Sequence, residues 1–191
     1  MRTIFAFDTA TSIASCSLVR DDEPIDEVRT QARLVLVAAD ELLRTAGIEP
    51  RELDGIVVGI GPGSFTGIRI GLATARGLAL GLDLPVAGVS TLRAFAGGRP
   101  VIDARRGQVF VEGPAVARPE ELEVAGSRLV GDGALRYREL FEAHGAEVPP
   151  GSDPAHLPAA HLLVAFAEEF GPADAVEPLY LRAPDAKAPA A

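Results

Sequence analysis

Apolar positions along this chain fall into short blocks separated by polar or glycine-rich turns. Residues 3–8 (Thr-Ile-Phe-Ala-Phe-Asp) form an apolar run ending in an acid, which predicts a buried strand. Residues 13–19 predict a second strand, Asp21-Asp22-Glu23-Pro24 a hairpin turn, and the alternation over 25–30 a third strand. The chain therefore opens as an antiparallel meander. Apolar residues covering more than half of a helical circumference then predict a helix over 34–46, closed by Gly47. Glu49-Pro50-Arg51-Glu52-Leu53 reads as a short helical turn.

The next stretch organises everything else. An apolar run at 56–60 leads into Gly61-Pro62-Gly63-Ser64-Phe65-Thr66-Gly67, then into a long helical pattern over 68–82, then past Pro85 into a second apolar run at 86–89. This is strand, tight turn, helix, strand, the arrangement that joins two parallel strands. Ser64 or Thr66 is placed to cap the helix. At about 100° per residue, Ile68, Leu72, Ala75, Ala79 and Leu82 share one face, while Ile70, Gly77 and Gly81 lie opposite. Arg69 and Arg76 alone look made for water. A helix apolar nearly all round is covered on two sides, one by the sheet and one by another domain or chain. Periodicity leaves open which face is which. The two arginines and the short run argue against a membrane span.

The order β-β-β-α-β-α-β predicts a mixed sheet with crossover helices. A short helix is expected over 90–96, and Gly97-Gly98-Arg99-Pro100 reads as a boundary, dividing the chain into units 1–98 and 99–191. Residues 101–111 read as strand, turn, strand, ending the first strand in Asp103 as 4–8 ends in Asp8. Further on, a helical turn is expected over 119–123, a strand into a turn at 129–134, helices over 134–144 and 158–170, an extended segment at 177–182, and a frayed Pro- and Ala-rich tail from 183.

Charge narrows the function. The 191 residues carry a net charge of −9, and neither half is basic, at −3 over residues 1–98 and −6 over residues 99–191. Strong binding of nucleic acid by the chain alone is not expected, because affinity for phosphates needs clustered cations. Cys16 is the sole cysteine, which excludes an internal disulfide and a cysteine-based zinc site. Residues 1–143 contain no histidine, and His144, His156 and His161 form no His-Glu-x-x-His pair, so no metal site is expected; surface or capping roles are. A nucleophile is not expected either, since Ser64 does not stand in Gly-x-Ser-x-Gly and no histidine is near it in sequence. The N-terminus starts on a strand pattern without a signal-peptide core, which fits a cytoplasmic protein.

Several stretches resemble the TsaB (YeaZ) family, the smaller paralogue in the bacterial machinery that makes N6-threonylcarbamoyladenosine on tRNA. They are Phe7-Asp8-Thr9-Ala10-Thr11, the signature from Gly61 to Gly71, Val89-Ser90-Thr91-Leu92, Asp103-Ala104-Arg105-Arg106-Gly107, Val130-Gly131-Asp132-Gly133-Ala134 and Pro178-Leu179-Tyr180-Leu181-Arg182. The resemblance implies an α/β actin/hexokinase/Hsp70-like (ASKHA) fold of two related subdomains, the second one shortened. It implies a scaffold subunit rather than a catalyst, with a TsaD-type catalytic paralogue and a TsaE-type ATPase as partners, a homodimer when alone, and tRNA reached only through the complex. It implies no tightly bound cofactor, with ATP or ADP held only in the assembled complex. Where members often carry a His-Ser-Glu-like stretch, this chain has Gln31-Ala32-Arg33.

Two sets of residues carry the candidate sites. Asp8, Thr9 and Thr11, with Asp103 at the second equivalent turn, stand where this fold places its phosphate turns; the plainer reading is two acids capping strand-to-strand turns. Leu36 and Leu43 on the first helix, with Ile68, Gly71, Leu72, Ala75 and Ala79 on the second, are the candidate partner surface. The alternative to a scaffold is a small-molecule kinase or ATPase of the ASKHA superfamily.

Overall fold

The computed structural model describes residues 2–113 and 115–182, so the tail predicted to fray from 183 lies outside the described residues. The first lobe is a five-stranded sheet. Its elements are β1 (Thr3–Asp8), β2 (Ala14–Arg20), β3 (Glu23–Thr30), α1 (Val35–Ala46), β4 (Gly55–Gly59), α2 (Phe65–Leu82) and β5 (Val86–Val89). The strand order is β3-β2-β1-β4-β5. The meander β1-β2-β3 is antiparallel, and β1, β4 and β5 run parallel. The β2–β3 turn places Asp21 and Asp22 at φ 50° and 68°, the left-handed pair that a tight hairpin demands.

Every residue of β1 and β4 is buried. Strands with no alternation are covered on both faces. Both helices lie on one face, where Phe5, Phe7, Cys16, Leu18, Ile56 and Val58 join Leu42 of α1 and Leu72 of α2 in one core. The opposite face carries Ile4, Ala6, Val19, Val57 and Ala87.

The second lobe is a four-stranded sheet of β6 (Arg99–Arg105), β7 (Gln108–Val111), β8 (Ala115–Ala117) and β9 (Leu129–Val130), in the order β8-β7-β6-β9. The short edge strand β8 has no counterpart in the sequence reading. The helix expected over 134–144 is two pieces, α3 (Asp132–Arg136) and α4 (Arg138–Ala143), broken at Tyr137. The pieces seat different residues: Gly133 lies against the backbone of β6, and Phe141 enters the core with Val101 and Leu129.

The helix expected over 158–170 shrinks to one turn, α5 (His161–Val164). Tertiary pairing overrides its periodicity. The chain straightens so that Phe170 reaches Gly55 and the Arg2 guanidinium, and Gly171 exchanges two backbone hydrogen bonds with Val86. At 90–96 the chain makes only a 3-10 turn, Thr91–Ala94. Ala160 and Leu163, next to and within α5, fill the second face of the first sheet together with Ile102 and Phe110 of the second lobe. The chain after residue 158 thus returns to the first lobe, and the two lobes share one apolar layer. No described helix is long and apolar enough to cross a membrane.

Cys16 sits in the core at 0% exposure. Burial pushes its thiol up to about 12, and the nearby Asp8 and Glu27 charges push the same way. The thiolate is the reactive form. The native protein is therefore expected not to react with an aromatic disulfide reagent at neutral pH, and to release about one equivalent of thiol in denaturant. Rapid labelling without denaturant would contradict this packing.

Candidate functional site

The glycine-rich turn positions α2 against the end of β1. Ser64 caps the helix, its hydroxyl accepting from the Gly67 N–H at 3.3 Å. The Ser64 N–H donates to the Ala10 carbonyl at 2.6 Å. Helix and β1–β2 turn are thereby locked together.

Asp8 is consumed by this junction. It is wholly buried; one carboxylate oxygen accepts from the Ala10 N–H at 2.8 Å and the other from the Thr91 hydroxyl at 2.6 Å. Thr91 Oγ1 in turn accepts from the Gly61 N–H at 3.1 Å. Gly59 is required beside it, since an added Cβ would lie 1.7 Å from the Asp8 carboxylate. Burial raises the Asp8 carboxyl above its usual range, and the hydrogen bonds from Thr91 and Ala10 oppose that only in part. Thr9 is buried too, its hydroxyl donating to the Gly67 carbonyl at 2.8 Å. Neither side chain reaches solvent, and the contacts that both make are those of a capped strand-to-strand turn.

Thr11 and Asp103 do reach a common space. A cleft of about 460 Å³ opens between the lobes. One wall carries Thr11, Ser12, Ser64 and Thr66; the other carries Asp103, Arg105 and Asp132; Leu179 to Arg182 run along it. Asp103 is oriented by the turn that follows it, accepting from the Arg105 N–H at 2.9 Å, with the Arg105 and Arg136 guanidinium groups 3.7 and 3.5 Å away. Asp132 accepts from the Asp103 N–H at 2.9 Å. Burial pushes the Asp132 carboxyl up, and the Asp103 charge adds to this against the bonds that Asp132 accepts. Asp132 was legible only as part of a Gly-Asp-Gly turn, because its partnership with Asp103 spans 29 residues.

The histidines are structural. His156 is buried, contrary to a surface role; Nδ1 accepts from the Gly131 N–H at 3.1 Å and Nε2 donates to the Pro149 carbonyl at 3.0 Å. His144 bonds the Leu140 carbonyl at 2.7 Å, and His161 pairs with Glu27. Among the described residues no three His, Cys, Asp or Glu side chains are grouped to hold a metal.

The second candidate surface is corrected by the burial of α2. Ile68, Leu72, Ala75 and Ala79 are at most 6% exposed and belong to the first lobe's own core, as does Leu43 of α1. Gly71 faces Thr9, where a Cβ would lie 2.5 Å from Oγ1. These residues therefore face the sheet, not a partner. The bulkier, more regular apolar face was the one the sheet required. Leu36 alone of that set is outward, at 56% exposure. What α2 presents to solvent is the opposite face: Ala73, Gly77, Leu80 and Gly81 are exposed and Ile70 is half-buried, with Leu80 at 88%. Val37 of α1, at 62%, lies outward beside Leu36.

Two mixed sheets, the first with crossover helices, an acid at the end of β1 and one near the end of β6 before each polar turn, and a cleft between them define an α/β protein of the ASKHA type. A family model described as "TsaD: tRNA N6-adenosine threonylcarbamoyltransferase" matches residues 24–146. The chain is 32% identical to the Escherichia coli tRNA threonylcarbamoyladenosine biosynthesis protein TsaB, over 94% of each chain. It is 35% identical to an uncharacterized Mycobacterium tuberculosis protein, over 97% of this chain and 94% of that one. The match to the Bacillus subtilis protein of the same TsaB name is 40% identical but spans 56% of this chain and 53% of that one. The solved structure of YeaZ from Pseudomonas aeruginosa superposes with a TM-score of 0.79 at 28% identity, covering 95% of this chain and all of that one. The chain belongs to the TsaB (YeaZ) family.

Proposed function

We propose that this chain acts in tRNA threonylcarbamoyladenosine biosynthesis as a non-catalytic scaffold, which pairs with itself when alone and with a TsaD-type catalytic paralogue in the working complex. The observation that carries this is the outer face of α1 and α2. Leu36 and Val37 of α1 are more than half exposed, and α2 turns Leu80, together with Ala73, Gly77, Gly81 and half-buried Ile70, to solvent. A helix face that leaves apolar residues to solvent marks contact with another protein. The glycines have nothing within 4 Å of where a Cβ would stand, so a second helix can approach closely there. The burial of Asp8 supports a scaffold over a kinase or ATPase, which would need that acid to reach a metal-bound phosphate. A TsaE-type ATPase, a nucleotide and tRNA then join through the complex rather than through this chain alone, in keeping with its charge of −9.

Leu80→Arg tests this reading. Leu80 is 88% exposed, so the fold should survive with an unchanged far-UV spectrum. Placing a charge in the contact should weaken both self-association and binding of the TsaD-type protein by roughly 100-fold, about 3 kcal/mol. Gel filtration and titration calorimetry read the two events. A variant that pairs as tightly as the parent would exclude this face as the contact.

A further inference from the structure

Residues 171–182 have no helix or sheet of their own beyond one bridge and one 3-10 turn, yet they are tied down along their length. Arg76 of α2 donates to the carbonyls of Ala173 at 3.3 Å and Val176 at 3.0 Å. The Leu179 N–H donates to the Ile60 carbonyl at 2.8 Å, just past β4. The Tyr180 ring lies 4.8 Å from that of Phe65 in the first turn of α2. Arg69 donates to the Tyr180 hydroxyl at 3.3 Å while its guanidinium covers Phe65 at 3.9 Å. Leu181 packs on the apolar layer shared by the lobes, and Arg182 donates to the Ala104 carbonyl in the second lobe. One extended segment is therefore fixed to α2 at one end and to β6 at the other, and its last four residues line the cleft.

Beside the Leu179–Ile60 backbone bond and the Tyr180–Phe65 ring contact, the hydrogen bonds that hold the segment come from arginine side chains, those of Arg69 and Arg76 being exposed, the kind of contact that opens locally before the rest of a fold. Arg69 and Arg76 stand on α2 about 100° from Ile70, at the margin of its outward face. A partner lying on that face meets the same arginines that hold the segment.

We propose that residues 176–182 are a strap that sets the opening of the inter-lobe cleft, and that docking on α2 draws Arg69 and Arg76 off the strap and opens it. The second half rests on the docking face proposed above; the first does not. Closed, the strap holds the Phe65 turn on one lobe to the β6 end on the other. Released, Leu179 to Arg182 leave the cleft wall and the 61–66 turn loses its cover.

The test uses the full chain. Hydrogen exchange reads the Leu179 amide, and spin labels on Thr66→Cys and Glu139→Cys read the distance between lobes; buried Cys16 takes no label. In Arg182→Ala the Leu179 amide should exchange about tenfold faster and the distance should lengthen and broaden. Unchanged exchange and distance would overturn the strap. If that variant does not fold, Tyr180→Phe decides, because it keeps the ring and removes only the Arg69 acceptor: faster exchange supports the strap, and exchange equal to the parent overturns it. The TsaD-type protein is then added to the parent chain. Binding with faster Leu179 exchange supports the coupling, and binding without it overturns the coupling alone. No binding at all counts against the docking face and the coupling, leaving the strap to the two variants.

Discussion

Replacing Ala75 with arginine is expected to abolish folding rather than pairing. Ala75 is 1% exposed, on the face of α2 that meets Ile56 and Val58 across the first lobe's core. A close-packed interior does not accept a side chain several atoms longer; overpacking alone costs about 1–3 kcal/mol. The guanidinium would be left buried without a partner, which costs several kcal/mol more. Together these approach the roughly 5–15 kcal/mol that holds a typical domain. Far-UV circular dichroism and a thermal melt should show no cooperative transition for Ala75→Arg under conditions where Leu80→Arg melts like the parent. The two sites lie five residues apart on one helix, so the contrast reads orientation and not composition. A folded Ala75→Arg monomer would mean that α2 is turned the other way.

The second large effect is expected at Asp8. Asp8→Ala strips the acceptor from the Ala10 N–H and from the Thr91 hydroxyl, both in the buried junction that also holds Gly61. A buried donor left unsatisfied costs about 1–3 kcal/mol, so the loss should be about 3–4 kcal/mol in denaturant unfolding. Asp8→Asn keeps one acceptor and should lose less. Its deficit carries a pH signature. The folded carboxyl titrates above its usual 3.8, because burial disfavours the charge. Between that value and its raised one the native state binds more protons than the unfolded, so the parent loses stability as pH rises through this window. Asparagine does not titrate. The gap between parent and Asp8→Asn should therefore be widest near pH 4 and narrow towards neutrality. A gap that widens with rising pH would mean that Asp8 is stabilised as the charged form, as in a phosphate or metal turn.

Much of this protein was determined by sequence alone. Strands of period two, an unbroken apolar run at 3–8 and the turn from Gly61 to Gly67 fixed the strands of the first sheet, the crossover helix α2 and a cap at Ser64 or Thr66, because each depends on residues within a few positions of one another. The family signature was legible for the same reason. Tertiary structure decided the rest. Which face of α2 meets the sheet could not be read from its periodicity, since both faces are apolar; the side carrying Ile68 and Leu72 went inward, where bulk is needed to fill the space above β1 and β4. That Thr91, 83 residues away, donates to Asp8 and ties it into a buried junction is announced by no local pattern. The helix expected over 158–170 yielded to a backbone bridge between Gly171 and Val86 that no local pattern announces. Arg69 and Arg76 looked like solvated charges, and hold instead a segment about 100 residues further along the chain. Local propensity chose the elements; contacts distant in sequence chose which surfaces remained for a partner.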